Sequence, residues 1–265
     1  MRKGGVVPIS HLSFRISEVY ERLLAAYGRQ GWWPGDSPFE VVIGAILTQS
    51  AAWTNVERAI GNLKAAGALS PAALHRMEAE EIAALVRPSG YFNAKARKLK
   101  AFVEMLHERF NGHLHCLLRV EKEDLRRLLL DTHGIGPETA DSIVLYAAGR
   151  PSFVIDAYTR RVFSRLGIAP EQPPPGVRLK PDPRKDVPEP RGPRRERGYE
   201  AWRAMFMGAL PPDAAMFNEY HALVVRLGKE VCRKREPLCG ECALREVCDY
   251  ASGTARAATM KGGAN

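Results

Sequence analysis

No apolar run in this 265-residue chain approaches the roughly 20 residues that a membrane-spanning helix needs, and the opening MRKGGVVPIS has no signal-peptide core. The expectation is an intracellular, cytoplasmic protein with no membrane partner, lying with the nucleoid if the cell is prokaryotic. Alternation of apolar and polar residues, the mark of half-buried strands, is scarce along the whole sequence. That scarcity predicts an all-α fold. Cysteine is scarce too, with five in all, so a disulfide framework is not expected. Acidic residues fall short of basic ones, 30 against 39, which leaves a formal charge of +9 and favours a polyanionic partner. The 45% hydrophobic content is enough for a substantial core.

What is present is organised around residues 125–165. Leu125, Leu128 and Leu129 share one helical face, and Ile143, Val144 and Ala147 repeat that spacing beyond His133-Gly134-Ile135-Gly136-Pro137. Two helices therefore meet at a tight glycine hairpin. Gly134 and Gly136 permit positive φ, and Pro137 suits the first turn of the second helix. Backbone N–H groups left uncovered there can hold a phosphate oxygen, although an ordinary packing corner would look the same. After that helix the apolar run Phe153-Val154-Ile155 delivers Asp156, followed by Arg160 and Arg161. Asp156 suits the N-cap of a helix beginning near Ala157.

Elsewhere, Ile16, Val19, Tyr20, Leu23, Leu24 and Tyr27 form the stripe of a first helix that Gly28 ends. Trp32 and Trp33 lie in the next turn. Residues 39–63 read as a buried helix, a polar break near Gln49 and Ser50, and a second helix bearing Trp53. Ser70-Pro71 opens a run of short helices through Val86. Pro88-Ser89-Gly90 then turns the chain into a helix with Ala96, Leu99, Phe102, Val103 and Leu106 inward. Tyr91 and Phe92 precede it, and Lys95, Arg97, Lys98 and Lys100 give it a basic face. Residues 170–198, with nine prolines from Pro170 to Pro193, read as a flexible insertion, and 251–265 as a disordered tail. Cys116, among leucines, reads as a buried structural thiol. Cys232, Cys239, Cys242 and Cys248 are spaced C-x6-C-x2-C-x5-C, and clustered thiols of this kind hold zinc or a [4Fe-4S] cluster.

The hairpin, the helix after it, the apolar run and Asp156 together resemble the helix-hairpin-helix DNA glycosylases of the endonuclease III superfamily. The cysteine spacing is similar to that superfamily's iron-sulfur loop, which favours [4Fe-4S] over zinc. The pieces WWP, FEVVIGAILTQ, RPSGYFNAKARKL, GIGPETADSIVLYAA and VIDAY most resemble the 3-methyladenine glycosylase branch. The resemblance implies a two-lobed fold with a six-helix barrel over 31–149 and a discontinuous lobe from 1–30 and 150–250, with DNA in a cleft between them. It implies a monomer acting on double-stranded DNA that carries a damaged base. Asp156 becomes the catalytic carboxylate; Gly134 and Gly136 become backbone contacts; Gln49, Ser50 and Tyr91 become candidate wedges for the gap left by an extruded base. Trp32, Trp33 and Trp53 correspond to aromatic pocket positions, where stacking and cation-π attraction suit a cationic alkylated purine.

One departure from the pattern matters. Bifunctional members carry a lysine where this chain has Glu138, and a carboxylate cannot form the Schiff base that leads to strand cleavage. The expectation is a monofunctional glycosylase for alkylated purines in base excision repair. Two alternatives stand beside it: an endonuclease III-like or mismatch-specific enzyme with lyase activity, and a non-catalytic iron-sulfur DNA-binding protein.

Overall fold

The computed structural model describes residues 9–33, 35–170 and 194–253, and among these every regular element is helical. The chain divides into two compact units: residues 32–154 with 213–218, and residues 1–31, 155–212 and 219–265.

The first unit is built on α2 (Pro38–Leu47), in which every residue from Phe39 to Leu47 is buried. Ser37 caps it by accepting from Glu40 N, and Pro38 occupies the first turn. The chain breaks at Gln49 and Ser50 before α3 (Trp53–Ala65). The short helices α4 (Pro71–Arg76) and α5 (Ala79–Leu85) lead to a 3₁₀ turn at Arg87–Ser89 and the long α6 (Phe92–Phe110). Ala96, Leu99, Phe102, Val103 and Leu106 of α6 are buried as their spacing requires. α7 (Leu114–Arg119), α8 (Lys122–Asp131) and α9 (Pro137–Ser142) complete the unit. One apolar cluster from Phe39 to Val144 joins these helices.

In the second unit, α1 (Ile9–Tyr27) buries Ile16, Val19 and Leu23. It meets α10 (Ala157–Arg165) and α12 (Ala214–Glu230) through polar contacts at depth, because Arg15 donates to Leu166 O at 2.6 Å and Tyr220 OH to Ile16 O at 2.6 Å. Phe163, Phe206 of α11 (Arg194–Ala209) and Tyr220 stack edge to face in its core.

Four expectations need correction. Lys95, placed on a solvated basic face, is 2% exposed, and its Nζ donates to Leu47 O at 2.7 Å and Ser89 O at 2.6 Å. The long side chain reaches inward to two carbonyls, one at the end of α2 and one in the 3₁₀ turn. Cys116 is exposed rather than buried, since α7 turns Leu117 inward instead, and its Sγ lies 3.3 Å from His115 Nε2. The helix after the hairpin widens at Ile143–Ala147 into a π-turn. Helix α11 begins at Arg194, inside the span read as insertion. Of that insertion, 171–193 lie outside the described residues, as do 254–265 of the tail; residues 249–253 are helical and Ala251 is buried.

Candidate active site and DNA-contacting elements

The hairpin lies between α8 and α9. Gly134 has φ +80, the left-handed region that favours glycine, and a Cβ there would sit 2.3 Å from Lys98 Cγ. Gly136 differs from expectation: φ −92 and ψ 177 are extended, because this residue is the N-cap of α9 rather than the turn itself. Gly136 is exposed, and among the described residues a Cβ there would meet nothing within 4 Å. The two helices are locked beneath the hairpin by a buried ion pair, with Arg126 Nε and Nη2 donating to Asp141 Oδ1 and Oδ2 at 2.8 and 3.1 Å and Ser152 Oγ donating to Oδ1.

Gln49 braces the hairpin from the α2–α3 break. Its Nε2 donates to Gly134 O at 3.2 Å and to Thr139 Oγ1 at 2.9 Å, while Lys98 Nζ donates to its Oε1. Lys98 is pushed below the usual lysine pKa by burial. Next to Gln49, Ser50 is exposed with φ 54, and Tyr91 is 75% exposed with φ 46. Non-glycine residues in this region cost about 1–3 kcal/mol each and occur where the surrounding structure enforces them. Here two of the three candidate wedges share that feature. Lys95 ties their supports together, since one of its carbonyl acceptors ends α2 and the other precedes Gly90 and Tyr91.

The tryptophans gather as their sequence positions suggested, with one addition. Trp33 stacks on Trp32 at 5.4 Å between ring centroids and meets Trp53 edge-on at 5.1 Å. Tyr146 joins them, 4.8 Å from Trp33 and 6.2 Å from Trp32. Sequence reading missed Tyr146 because α-helical spacing leaves it off the Ile143, Val144 and Ala147 face. Only the π-turn turns it toward Trp33. Gly44 leaves room on α2 for two of these rings: a Cβ there would touch Trp33 Nε1 and Trp53 Cη2 at 3.5 Å. Among the described residues Trp33 Nε1 is buried with no hydrogen-bond partner, while Trp53 Nε1 donates to Glu57 Oε1 at 2.8 Å.

Asp156 is the N-cap of α10. Its Oδ1 accepts from Thr159 N at 2.7 Å and Thr159 Oγ1 at 2.9 Å, while Oδ2 faces His221 Nε2 at 3.6 Å. Burial alone would raise its pKa, but His221 and the two Thr159 donors outweigh that effect and hold it below the usual carboxylate range. His221 was not singled out from sequence, since nothing local relates positions 156 and 221. Glu138 sits exposed in the first turn of α9.

The four terminal cysteines ring one concavity with Arg165, Val231, Pro237, Tyr250 and Ala251. Arg165 Nη1 lies 3.2 Å from Cys232 Sγ. Burial first, and the neighbouring thiols after it, raise the pKa values of Cys239 and Cys242. Among the described residues, no three His, Cys, Asp or Glu side chains close tightly enough on one point to hold a single metal ion. A multi-iron cluster is wider than one ion and carries positive charge, which four mutually opposed thiolates in one concavity require, so these residues fit such a group. No described helix is long and apolar enough to cross a membrane.

Comparison with known proteins adds to this geometry. The HhH-GPD superfamily base excision DNA repair protein model matches residues 43–180. A protein of Methanocaldococcus jannaschii named as a DNA repair glycosylase is 39% identical over 235 residues, covering 88% of this chain and 95% of its own. A thymine-DNA glycosylase of Aeropyrum pernix is 25% identical, covering 89% and 95%. The solved structure of a non-covalent endonuclease III–DNA complex superposes with a TM-score of 0.69 at 20% identity, covering 92% of this chain and 98% of that one, and so shares the fold. With hairpin, capped carboxylate and helical architecture in place, the chain belongs to the HhH-GPD superfamily of base excision DNA repair proteins and is a DNA glycosylase.

Proposed function

We propose that this enzyme is a monofunctional glycosylase that removes alkylated purines from double-stranded DNA. The observation that carries the substrate class is the aromatic cluster of Trp32, Trp33, Trp53 and Tyr146. An alkylated purine is cationic, and electron-rich ring faces attract a cation by about 0.5–2 kcal/mol each, beyond stacking. Such a base is already a good leaving group, so no strong acid is needed to protonate it.

The chemistry falls to Asp156. As the C1′–N bond breaks, its electron pair leaves with the base and positive charge grows on the sugar. A fixed carboxylate stabilises that charge, and Oδ2 takes a proton from the water whose oxygen bonds C1′. Oδ1 cannot share this work readily, because Thr159 occupies it twice. Gly134 and Gly136 hold a backbone phosphate through their backbone amides, and Ser50 and Tyr91 fill the gap behind the extruded base. Glu138 stands where a lysine would form the Schiff base, and the buried amine of Lys95 is committed to two carbonyls. Cys232, Cys239, Cys242 and Cys248 would hold a [4Fe-4S] cluster, which when bound folds the loop after α12.

The likeness to a thymine-DNA glycosylase favours a second reading, excision of thymine or uracil from mispairs. The two separate in one experiment: purified protein is incubated with duplexes carrying single 3-methyladenine-type, uracil·guanine, thymine·guanine and oxidised-base lesions. Release of thymine or uracil without release of alkylated purine refutes the first reading.

A further inference from the structure

We infer that His221 is a positioning residue for base excision, directing Asp156 Oδ2 and supplying the charge that balances it. This rests on Asp156 being the carboxylate of the reaction. The two oxygens of Asp156 are divided by the fold. Oδ1 belongs to Thr159, at 2.7 and 2.9 Å, and serves the helix cap. Oδ2 lies 3.6 Å from His221 Nε2, with the two side chains only 13% and 6% exposed. That separation is just beyond hydrogen-bond length, and catalytic contacts of this kind tighten in the substrate complex.

The position of His221 is set by close packing. It lies on α12 seven residues before Gly228, about two helical turns. At Gly228 a Cβ would collide with Tyr158 Cδ1 at 2.5 Å, so the missing side chain lets α12 approach α10 at Tyr158, next but one after Asp156. Other titratable groups around the carboxylate are already engaged. Glu219, also on α12, accepts from Gln30 N; Tyr199 OH accepts from Ile155 N; Arg160 lies over the Tyr199 ring; Arg161 donates to Cys232 O and Gly228 O. His221 is the side chain that does most to lower the Asp156 pKa against the opposing effect of burial. A histidine here does what a neutral amide cannot: its protonated form offsets the cost of a buried anion.

His221→Gln keeps a donor and removes the charge. In full-length protein labelled with ¹³Cγ-aspartate, the Asp156 titration midpoint should rise in this variant. Single-turnover base release from dimethyl sulfate-treated duplex and from uracil·guanine and thymine·guanine duplexes should show its acid limb moved upward by the same amount. Each unit of that rise costs about tenfold in rate on the limb, while Kd for a duplex with a tetrahydrofuran abasic analogue stays within about twofold because no phosphate contact changes. His221→Asn serves as the second variant if His221→Gln does not fold. An unmoved midpoint overturns the inference without any substrate, and so does a raised midpoint with an unmoved acid limb. Asp156→Asn separates the underlying reading: Asn caps a helix as well as Asp, so a folded Asp156→Asn enzyme that still releases base shows the carboxylate assignment itself to be wrong.

Discussion

Gly136→Thr separates the hairpin's part in folding from its part in binding. Gly136 is extended, with φ −92, so threonine meets no left-handed strain. It is the N-cap of α9, and threonine ranks with glycine there. A Cβ would find open space to 4 Å. The folded enzyme should therefore melt within the ±0.5 kcal/mol typical of a neutral surface change. DNA binding should behave differently. If a phosphate oxygen sits on this amide, a β-branched side chain displaces it, and a hydrogen bond to a charged group is worth about 1.5–3 kcal/mol, or roughly ten- to more than a hundredfold in Kd. Fluorescence anisotropy at fixed salt, on intact and abasic-analogue duplexes alike, measures this, and thermal melting provides the control. Equal binding by mutant and wild type would refute phosphate capture at Gly136. Gly134→Ala is the contrasting case: its φ of +80 and the 2.3 Å approach to Lys98 Cγ predict a loss of stability of about 1–3 kcal/mol before any DNA is added.

Three further outcomes are expected. Wild-type enzyme should release base and leave the strand intact until alkali is added, with no borohydride-trapped adduct; Glu138→Lys is the variant expected to gain trapping, and efficient trapping by the wild type would contradict monofunctional chemistry. Lys95, whose pKa burial and nearby Lys98 lower to about 8 from 10.5, penalises the fold while charged. Stability should therefore rise between about pH 8 and pH 10.5, because the unfolded chain binds the extra proton there, and a Lys95→Met curve that runs parallel to wild type across this window would count against the lowered pKa of Lys95. The neutral amine still carries two N–H groups for its two carbonyl partners. Purified protein should contain iron and acid-labile sulfide with visible absorbance, all reduced by Cys242→Ser; a protein containing zinc alone would exclude the cluster.

Much of the fold was legible because it depends on local rules. The Ser70 cap, the glycine after Tyr27 and the inward face of α6 each arise from a few neighbouring residues. Asp156 was legible as an N-cap for the same reason. The features that escaped notice depended on distance in space. His221 meets Asp156 from a remote part of the sequence, and Lys95 turns inward only because carbonyls from two other segments await it. Gly136 was misread because glycine composition signals permissiveness, whereas backbone angles belong to the assembled turn. Cys116 was misread because its apolar neighbours were taken as its surroundings, although a helix sends adjacent residues to different faces.

The π-turn at Ile143–Ala147 also makes the hairpin and the aromatic cluster separately adjustable. A π-turn closes its hydrogen bonds over one more residue than an α-turn, so side chains within it depart from the α-helical phase. Upstream of it, Thr139 and Asp141 keep the phase that serves the hairpin; within it, Tyr146 has a phase of its own and lies 4.8 Å from Trp33. Deleting a single residue between 143 and 147 would restore the α-helical phase and swing position 146 off the tryptophans without changing the hairpin's own residues. On the proposed reading, base specificity can therefore drift by a change of helical phase, with every aromatic side chain retained and the hairpin unaltered.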